Sequence, residues 1–334
     1  EFAVLSDDEL EQKVEKIKVY SRMSPKDKYR VVATLQKLDH IVAVTGDGVN
    51  DAPALKKADI GVAMGITGTD VSKEVADMVI TDDAFNTIVN AVEEGRNIFE
   101  NMKRFIRYLL SCNFDEIFAV LLISLWLDTI PFLPLQILYL NLLTDALPAL
   151  ALSFEPYDPR LMKRKPRSKK SSFVRDMYVF AGLAGIVAFF ASVGVFLLSY
   201  FWLGEIRGFT NREQIIAYSQ MMAFVTTLTF ELWFVFIARN DNDTPFLKSR
   251  PLKNKILIVS VLISWILLLL VIYIKPLLAI FSGFTIEDAY FLSAADWGII
   301  LAVTLGCQVF VEIARYLIRW VQTKRKMKLT AITT

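Results

Sequence analysis

The sequence has little cysteine, and it shows neither a signal peptide nor an internal repeat. Its two cysteines, Cys112 and Cys307, both lie in apolar runs. Two such residues cannot build the disulfide framework of a small secreted domain, so that class of protein is excluded. We also expect no nucleic-acid partner for this chain.

The chain is rich in apolar residues and yet keeps an ordinary share of charge. Of its 334 residues, 54% are hydrophobic and 22% are charged. This apolar content excludes intrinsic disorder, and it exceeds what a single soluble domain needs. Residues 1–107 contain 15 basic and 19 acidic side chains, whereas the other 227 residues contain 22 and 16. We therefore predict two unlike parts, one water-soluble and one embedded in a membrane.

Short apolar runs alternate with amphipathic stretches through residues 1–102. Ser24 and Pro25 are typical of a helix N-terminus, and the pattern predicts that this helix ends near Leu38. Strands are predicted at Lys18–Tyr20, Ile41–Val44, Ile60–Ala63 and Met78–Ile80. Such alternation predicts an α/β domain in which helices cover a parallel sheet.

Six long hydrophobic stretches follow, each near the ~20 residues that a membrane-spanning helix needs. They cover about residues 105–127, 131–154, 177–203, 216–237, 256–274 and 296–318. The first stretch continues a helix that starts near Ala84 and is polar as far as Arg107, which indicates a stalk that enters a lipid bilayer. We predict a soluble domain with its stalk over residues 1–102 and an all-α domain of six transmembrane helices over residues 103–334.

Basic residues are shared unevenly among the connections between these stretches. Loops 155–176 and 238–255 and the C-terminal end contain eight, five and six Lys or Arg residues, whereas the alternate loops contain three in total. Because Lys and Arg concentrate on the cytoplasmic side, we predict a multi-pass membrane protein whose soluble domain, basic loops and C-terminus are cytoplasmic. A lipid-headgroup or regulatory site is the alternative role for loop 155–176.

Polar and acidic side chains interrupt three of the stretches, where they are costly and usually functional. Asn113 and Glu116 are three residues apart in the first stretch and therefore share a helical face. Asp115 lies about 200° around the helix from Asn113. We therefore do not assign Asp115 to the same site.

The second stretch contains Asn141, Thr144 and Asp145, which also share one helical face. Pro148 has no N–H group, so the Thr144 carbonyl loses its helical partner and becomes available to a hard cation. Glu231 adds another carboxylate from the fourth stretch. Together these oxygens predict a Ca²⁺ site, and a proton relay or plain interhelical hydrogen bonding are the alternatives.

In the soluble part, Thr45–Asp51 reads TGDGVND and lies between a predicted strand and a predicted helix. Acidic groups at the carboxyl end of a parallel strand are well placed for a ligand crevice. Asp47, Asn50 and Asp51 can hold Mg²⁺ and orient a phosphate, although such clusters are more often plain turns. The residues alone leave both interpretations open.

The longer run Thr45–Leu55, TGDGVNDAPAL, resembles the hinge motif of P-type (type II) cation-transporting ATPases. The resemblance continues through Lys56–Met64, Asp82–Gly95 and Asn141–Ala149, and it is strongest to calcium pumps of the sarco/endoplasmic reticulum type. It implies a partial haloacid-dehalogenase-like phosphorylation domain, ATP as substrate, Mg²⁺ as cofactor and Ca²⁺ as the transported ion.

The same resemblance implies roles for individual residues. Asp47 would ligate Mg²⁺, Asn50 would contact phosphate, and Asp51 would support the site. Lys28 matches the lysine that steadies the phosphorylated aspartate of the family. The residues that match calcium ligands are Asn113, Glu116, Asn141, Thr144, Asp145 and Glu231.

Some features of the family pattern are missing or altered. Asp115 and Ala146 stand where glycine is common in these calcium pumps, and the sequence contains neither a DKTG-type run with its aspartate nucleophile nor a TGE-type actuator motif. We therefore expect the C-terminal part of a pump, which needs a missing N-terminal part and is inactive as an ATPase by itself. The alternatives are a Na⁺ or H⁺ pump of the same family and a non-catalytic membrane module or remnant.

Overall fold

The computed structural model describes residues 5–167, 175–240, 251–285 and 289–333. The chain forms two compact units. The first, called the sheet unit, comprises Glu1–Arg96 and Pro159–Ser171, and the second, called the helical unit, comprises Asn97–Asp158 and Ser172–Thr334. Residues 168–174 and 241–250, which belong to the two basic loops of the topology prediction, lie outside the described residues.

A parallel sheet of three strands forms the centre of the sheet unit. The strands are β1 (Ala43–Gly46), β2 (Ile60–Met64) and β3 (Met78–Ile80), in that order across the sheet. Ala43 lies opposite Ile60, and Val62 lies opposite Met78. The prediction of a parallel sheet is confirmed, and β1 starts at Ala43 rather than at Ile41 as predicted.

Four short helices accompany the sheet: α1 (Asp7–Lys13), α2 (Pro25–Lys37), α3 (Ala52–Lys57) and α4 (Asp70–Val75). The N-terminus of α2 forms as predicted, because the Ser24 hydroxyl accepts a hydrogen bond from the Asp27 N–H at 3.2 Å and Pro25 occupies the first helical position. Helices α3 and α4 pack on β2, whose Val62 and Ala63 are buried.

The predicted strand at Lys18–Tyr20 is wrong, because this segment has no strand conformation. The Val19 side chain is 81% exposed, so it does not pack on a sheet. The Tyr20 hydroxyl instead donates a hydrogen bond to the Val14 carbonyl at 3.2 Å, just after the end of α1. A run of three residues with one apolar side chain per face is too short to select a strand.

Among the described residues, six helical segments are long and apolar enough to cross a membrane. We call them spans 1 to 6, with the bounds Phe85–Leu127, Pro134–Leu152, Phe180–Ile206, Arg212–Ala238, Lys255–Tyr273 and Ala294–Ile318. This agrees with the six predicted stretches and indicates a multi-pass membrane protein.

Spans 1, 4 and 5 are single α-helices, α5 (Phe85–Leu127), α10 (Arg212–Ala238) and α11 (Lys255–Tyr273), and span 6 is the first part of α13 (Ala294–Thr333). A short helix, α12 (Lys275–Ser282), follows span 5. Span 2 consists of α6 (Pro134–Tyr139), a π-helical turn (Leu140–Asp145) and α7 (Ala146–Leu152). Span 3 contains most of α8 (Arg175–Leu198), a second π-helical turn (Ser199–Leu203) and α9 (Gly204–Ile206).

The π-helical turn of span 2 ends three residues before Pro148 and contains Thr144, whose carbonyl the sequence predicts to be without a helical partner. Pro148 cannot donate a hydrogen bond to the Thr144 carbonyl, and its ring crowds that carbonyl in a regular α-helix. A π-helical turn widens the backbone locally, and such turns occur frequently at functional sites. The turn contains Asn141, Thr144 and Asp145, the three polar residues that the sequence analysis selects in this span.

Span 4 is the most enclosed of the six. In its most apolar 18-residue window 89% of the residues are buried, against 22% for span 6. Span 4 packs against spans 3 and 6, and its Phe224 makes an edge contact with Tyr139 of span 2 at 5.6 Å between ring centroids. This packing places Glu231, in the last third of span 4, in the interior of the helical unit.

Candidate functional site

The motif Thr45–Asp51 lies at the carboxyl end of β1, as the sequence predicts. A 3₁₀ turn over Val49–Asp51 leads from the strand into α3. Glycine is required at position 46, because a Cβ atom there would lie 2.4 Å from the Cβ of Asp51. This close approach holds Asp51 against the end of the strand.

Asp51 is paired with Lys28, although 23 residues separate the two in the sequence. The ammonium group of Lys28 donates a hydrogen bond to one carboxylate oxygen of Asp51, and the Gly48 N–H donates to the other at 3.3 Å. Partial burial by itself raises the pKa of Asp51, but the hydrogen bonds from Lys28 and Gly48 hold that pKa below its ordinary value. Asp51 is therefore a charged group that orders the loop.

Asp47 and Asn50 differ from Asp51 in that their side chains are exposed. The backbone carbonyl of Asp47 accepts hydrogen bonds from the Thr69 N–H at 2.8 Å and from the Ser72 hydroxyl at 3.2 Å. The backbone at Asp47 is thus fixed while its carboxylate faces solvent. Mg²⁺ commonly binds one or two carboxylates and keeps several of its waters, so this arrangement fits that cation.

Asp83 holds a second loop of the sheet unit and was not selected from the sequence. Its carboxylate accepts hydrogen bonds from the N–H groups of Gly65, Ile66 and Thr67 at 2.6, 3.0 and 2.8 Å, and from the Thr67 hydroxyl at 2.8 Å. Desolvation raises the pKa of Asp83, but these four donors outweigh it and lower the pKa to about 2. The loop after β2, which leads to Thr69, is therefore tied to the segment after β3.

In the helical unit, Asp145 lies buried between spans 1 and 2. One of its carboxylate oxygens, Oδ1, accepts a hydrogen bond from the Tyr108 hydroxyl at 3.1 Å. The other, Oδ2, has no hydrogen-bond partner within the part of the chain that the structure describes. Tyr108 precedes Cys112 by one helical turn and Glu116 by two, so this spacing of four marks a polar face of span 1.

Glu116 joins the first two spans through an amide. The Asn141 side-chain nitrogen donates to Glu116 Oε2 at 2.8 Å and to the Ile137 carbonyl at 3.0 Å. Both hydrogens of that nitrogen are then used, which leaves the amide oxygen as an acceptor. Glu116 Oε1 is buried without a hydrogen-bond partner among the described residues.

Glu231 reaches the same cluster from span 4. Its side chain is 0% exposed, and neither of its carboxylate oxygens has a hydrogen-bond partner among the described residues. One of these oxygens, a carboxylate oxygen of Asp145 and the sulfur of Cys112 all lie within 4.8 Å of one another. Three helices thus direct side chains to one buried point.

Asp115 belongs to this cluster, although the sequence analysis does not assign it. It is fully buried, both of its oxygens lack hydrogen-bond partners among the described residues, and it interacts electrostatically with Glu116, Asp145 and Glu231. The angle between Asn113 and Asp115 does not decide this, because Asn113 is only half-buried. Measured from Cys112, Asp115 and Glu116 follow at three and four residues and share its face.

Asn113 and Thr144 are placed differently from the acids. The Asn113 side-chain nitrogen donates to the Leu109 carbonyl of its own helix at 2.8 Å, and Asn113 is only half-buried. The Thr144 hydroxyl donates to the Leu140 carbonyl at 2.8 Å and is fully buried. Each of these two side chains therefore donates a hydrogen bond to the backbone of its own span.

Two other buried acids of the helical unit have partners. Asp296 accepts six hydrogen bonds, among them bonds from Arg207 Nη2 and the Tyr218 hydroxyl at 2.7 Å each. Glu155 pairs with Arg239 and also accepts a hydrogen bond from the Asn254 amide at 3.0 Å. These carboxylates are neutralised by the protein itself.

The cluster of Asp115, Glu116, Asp145 and Glu231, which we call the acid cluster, is chemically different. It brings four carboxylates together, and no Arg or Lys of the described residues is a hydrogen-bond or ion-pair partner of any of them. Buried carboxylates are stable only when they are protonated, paired or bound to a metal ion. Carboxylate and amide oxygens at this density are the ligands that hard cations such as Ca²⁺ prefer.

Two known protein families match the chain. The family described as "Cation transporting ATPase, C-terminus" matches residues 129–317, which is more than half of the chain and includes spans 2 to 5 and all but the last residue of span 6. The family described as "haloacid dehalogenase-like hydrolase" matches residues 28–92, which include Lys28 and the Thr45–Asp51 motif.

Curated proteins similar to the chain are named as calcium-transporting ATPases. The chain is 42% identical over 301 residues to the "Calcium-transporting ATPase" of Bacillus subtilis, in a match that covers 90% of this chain and 32% of that protein. It is 37% identical over 337 residues to the "Endoplasmic reticulum calcium ATPase srcA" of Aspergillus fumigatus, with 95% and 34% covered. The chain thus spans about a third of the length of these relatives.

Proposed function

Because the chain belongs to the cation-transporting ATPase family, we propose that it is the C-terminal part of a P-type, ATP-driven calcium pump. The observation that carries this proposal is the acid cluster, whose six unpartnered carboxylate oxygens lie buried among the described residues. A cation is the group that would satisfy them. The names of the similar proteins support Ca²⁺ as that cation.

The ligands of the transported ion would come from spans 1, 2 and 4. The donors expected from the sequence are Asn113, Glu116, Asn141, Thr144, Asp145 and Glu231. The buried Asp115 is a further candidate, because its carboxylate oxygens have no hydrogen-bond partner among the described residues. Six to eight oxygens suit Ca²⁺, and the widened turn of span 2 gives its backbone carbonyls some freedom to join them. A divalent ion also balances four carboxylates better than Na⁺ does, which favours Ca²⁺ over that monovalent cation.

The sheet unit would handle the phosphoryl group. Asp47 would hold Mg²⁺, which when bound neutralises charge on a transferring phosphoryl group. Asn50, exposed on the same loop, would contact the phosphate, and Lys28 would place a positive charge beside it. Asp51 holds Lys28 and the Gly48 N–H in position for this role.

We propose that the sheet unit is part of a larger phosphorylation domain, completed by an N-terminal part of the pump that carries the aspartate nucleophile and binds ATP. Parallel strands are usually buried on both faces, yet β1 has largely exposed or half-buried residues. Apolar side chains nearby are also exposed, including Ile41 at 61% and Ile66 at 72%. By itself the chain would then be inactive as an ATPase.

The helical unit would lie in a lipid bilayer with the sheet unit and the C-terminus on the cytoplasmic side. Large apolar side chains are exposed along the spans, such as Leu125, Phe190 and Ile266, and a bilayer would cover them. The excess of Lys and Arg in alternate connections supports the orientation. Protease protection of the two ends in oriented vesicles tests it.

Phosphorylation from ATP in the full-length protein tests the proposal as a whole. Glu116→Gln and Asp145→Asn should each abolish Ca²⁺-dependent phosphoenzyme formation, because each removes a ligand charge. Glu213→Gln, which neutralises an exposed acid at the start of span 4, is the matched control and should behave as the wild type. Unchanged Ca²⁺ dependence in both cluster variants, or dependence on Na⁺ or H⁺ instead, would overturn the assignment.

A further inference from the structure

A thiol lies inside the acid cluster, and hard-cation chemistry does not require it. Cys112 is buried, with 2% of its surface exposed. Its sulfur lies within 4.8 Å of a carboxylate oxygen of Asp145 and of one of Glu231. The other cysteine, Cys307, is half-buried on span 6 and is not part of this group.

The position of the thiol follows from helix geometry. Asp115 and Glu116 lie three and four residues beyond Cys112, so the sulfur shares the face of span 1 that carries both carboxylates. All four acids of the cluster interact electrostatically with the thiol. Cys112 is therefore directed into the cluster rather than toward lipid.

A second observation indicates that this point binds a ligand. Asp145 Oδ2 and both carboxylate oxygens of Glu231 are buried and have no hydrogen-bond partner among the described residues. The exposed fractions of Asp145 and Glu231 are 1% and 0%. A sulfur and two carboxylates, contributed by three different spans, thus converge where three carboxylate oxygens have no hydrogen-bond partner in the part of the chain that the structure describes.

One thiolate and two carboxylates form a softer set of ligands than Ca²⁺ selects. Ca²⁺ takes oxygen ligands, whereas thiolates favour soft or borderline cations such as Zn²⁺. Neighbouring sulfur and oxygen ligands of a tetrahedral Zn²⁺ are about 3.6 Å apart. The three side-chain atoms, within 4.8 Å of one another, therefore need to close by only about 1 Å.

We propose that Cys112, Asp145 and Glu231 form a binding site for thiophilic divalent cations, of which Zn²⁺ and Cd²⁺ are representatives. Binding replaces the thiol proton, which leaves to solvent, by a metal–sulfur bond. The site shares Asp145 and Glu231 with the proposed Ca²⁺ site, so the inference that the two kinds of cation compete rests on the proposed function. Cys112 is then a residue that determines which cations the cluster admits.

Cd²⁺ titration of the full chain in lipid nanodiscs tests the site. A cadmium–thiolate bond gives an ultraviolet charge-transfer absorption that oxygen ligands do not give. The band should appear in the wild type and be lost in Cys112→Ser, and Asp145→Asn should weaken Cd²⁺ binding by at least about tenfold. Absence of the band from the wild type, or its presence in Cys112→Ser, would overturn the proposal.

Cys307→Ser is the matched control, because Cys112 is then the one remaining cysteine in the sequence. The band should persist in this variant, which assigns it to Cys112 even where Cys112→Ser fails to fold. Loss of the band from Cys307→Ser contradicts the assignment.

Ca²⁺ binding measured on the same samples separates this inference from the proposed function. Ca²⁺ binding without a cadmium band overturns the thiophilic site and leaves the pump proposal standing. A band that Ca²⁺ does not suppress supports the thiophilic site and contradicts the shared Ca²⁺ site. Suppression of the band by Ca²⁺ supports both.

Discussion

The buried acids of the helical unit fall into two groups that differ in whether an arginine and other donors of the protein bind their carboxylates. Glu155 and Asp296 are bonded to Arg239 and Arg207, together with amide, hydroxyl and backbone donors. The acid cluster at Asp115, Glu116, Asp145 and Glu231 instead leaves six carboxylate oxygens without hydrogen-bond partners in the described part of the chain. Burial is nearly complete in both groups.

This difference separates structural acids from acids that are kept for a ligand. A buried ion pair fixes the positions of the segments that it joins, and the loss of one partner is costly. Four buried carboxyl groups without a cationic partner in the described part of the chain destabilise the ion-free protein, so folding alone does not account for them. We infer that the paired acids hold the helices together and that the acid cluster binds the cation.

The largest effect is expected from breaking a pair. Asp296→Ala leaves Arg207 and the hydroxyl of Tyr218 without their shared acceptor, and we expect a loss of about 3–5 kcal/mol in the free energy of unfolding. Denaturant unfolding in mixed micelles measures it, with Glu213→Ala as an exposed control. A loss as small as that of the control would show that pairing is not what distinguishes Asp296.

For a member of the acid cluster, we expect a substitution to raise the free energy of unfolding rather than to lower it. Glu231→Gln replaces a buried acid whose carboxylate oxygens have no hydrogen-bond partner among the described residues, so the Ca²⁺-free protein should gain about 1–3 kcal/mol in unfolding free energy. Ca²⁺ at a hundredfold excess over its Kd should stabilise the wild type by about 2.7 kcal/mol, and in a variant that binds tenfold more weakly the same Ca²⁺ concentration should give about 1.4 kcal/mol or less. A destabilised Ca²⁺-free variant would place Glu231 with the structural acids.

The sheet unit contains a paired acid near solvent, Asp51, whose partner is Lys28. Lys28→Ala removes the partner of Asp51 and should cost no more than about 1 kcal/mol, because the pair is partly exposed and screened. In this variant the pKa of Asp51 should rise toward its ordinary value. The variant should therefore lose less stability than the wild type as the pH falls below about 4. Lys26→Ala, an exposed lysine on the same helix, is the control, and an equal effect of both changes contradicts the pairing.

The smallest and most local effect is expected at Asp83. Its lowered pKa means that its contribution to stability is present above about pH 4 and is lost as the pH falls toward about 2. Hydrogen exchange at Gly65, Ile66 and Thr67 should be faster in Asp83→Asn than in the wild type at pH 7. Asp82→Asn should leave these three amides unchanged, and equal exchange in Asp83→Asn would contradict the anchoring role.

Much of the architecture could be predicted because it depends on local pattern. Period and length of the apolar runs predict the six spans, and strand–helix alternation predicts the parallel sheet. The spacing of Asn141, Thr144 and Asp145 also locates a polar face, and Pro148 locates the irregular turn.

The remaining features depend on contacts between segments that are distant in the sequence. Nothing local indicates that Lys28 meets Asp51 or that Asp83 holds the loop after β2. Asn113 is a poor reference for the face of Asp115, because the Asn113 amide donates a hydrogen bond within its own helix. A spacing of four from Tyr108 through Cys112 to Glu116 is the signal that identifies the correct face.

Equilibrium Ca²⁺ binding to the full chain in lipid nanodiscs tests the central claim most directly. The acid cluster predicts saturable binding by the wild type, and each lost ligand should weaken it by about tenfold or more. The double variant Asp145→Asn with Glu231→Gln should therefore bind roughly a hundredfold more weakly, whereas Glu213→Gln should match the wild type. Wild-type affinity in the double variant, or no binding by the wild type, would contradict the claim that these unpaired carboxylates hold the transported cation.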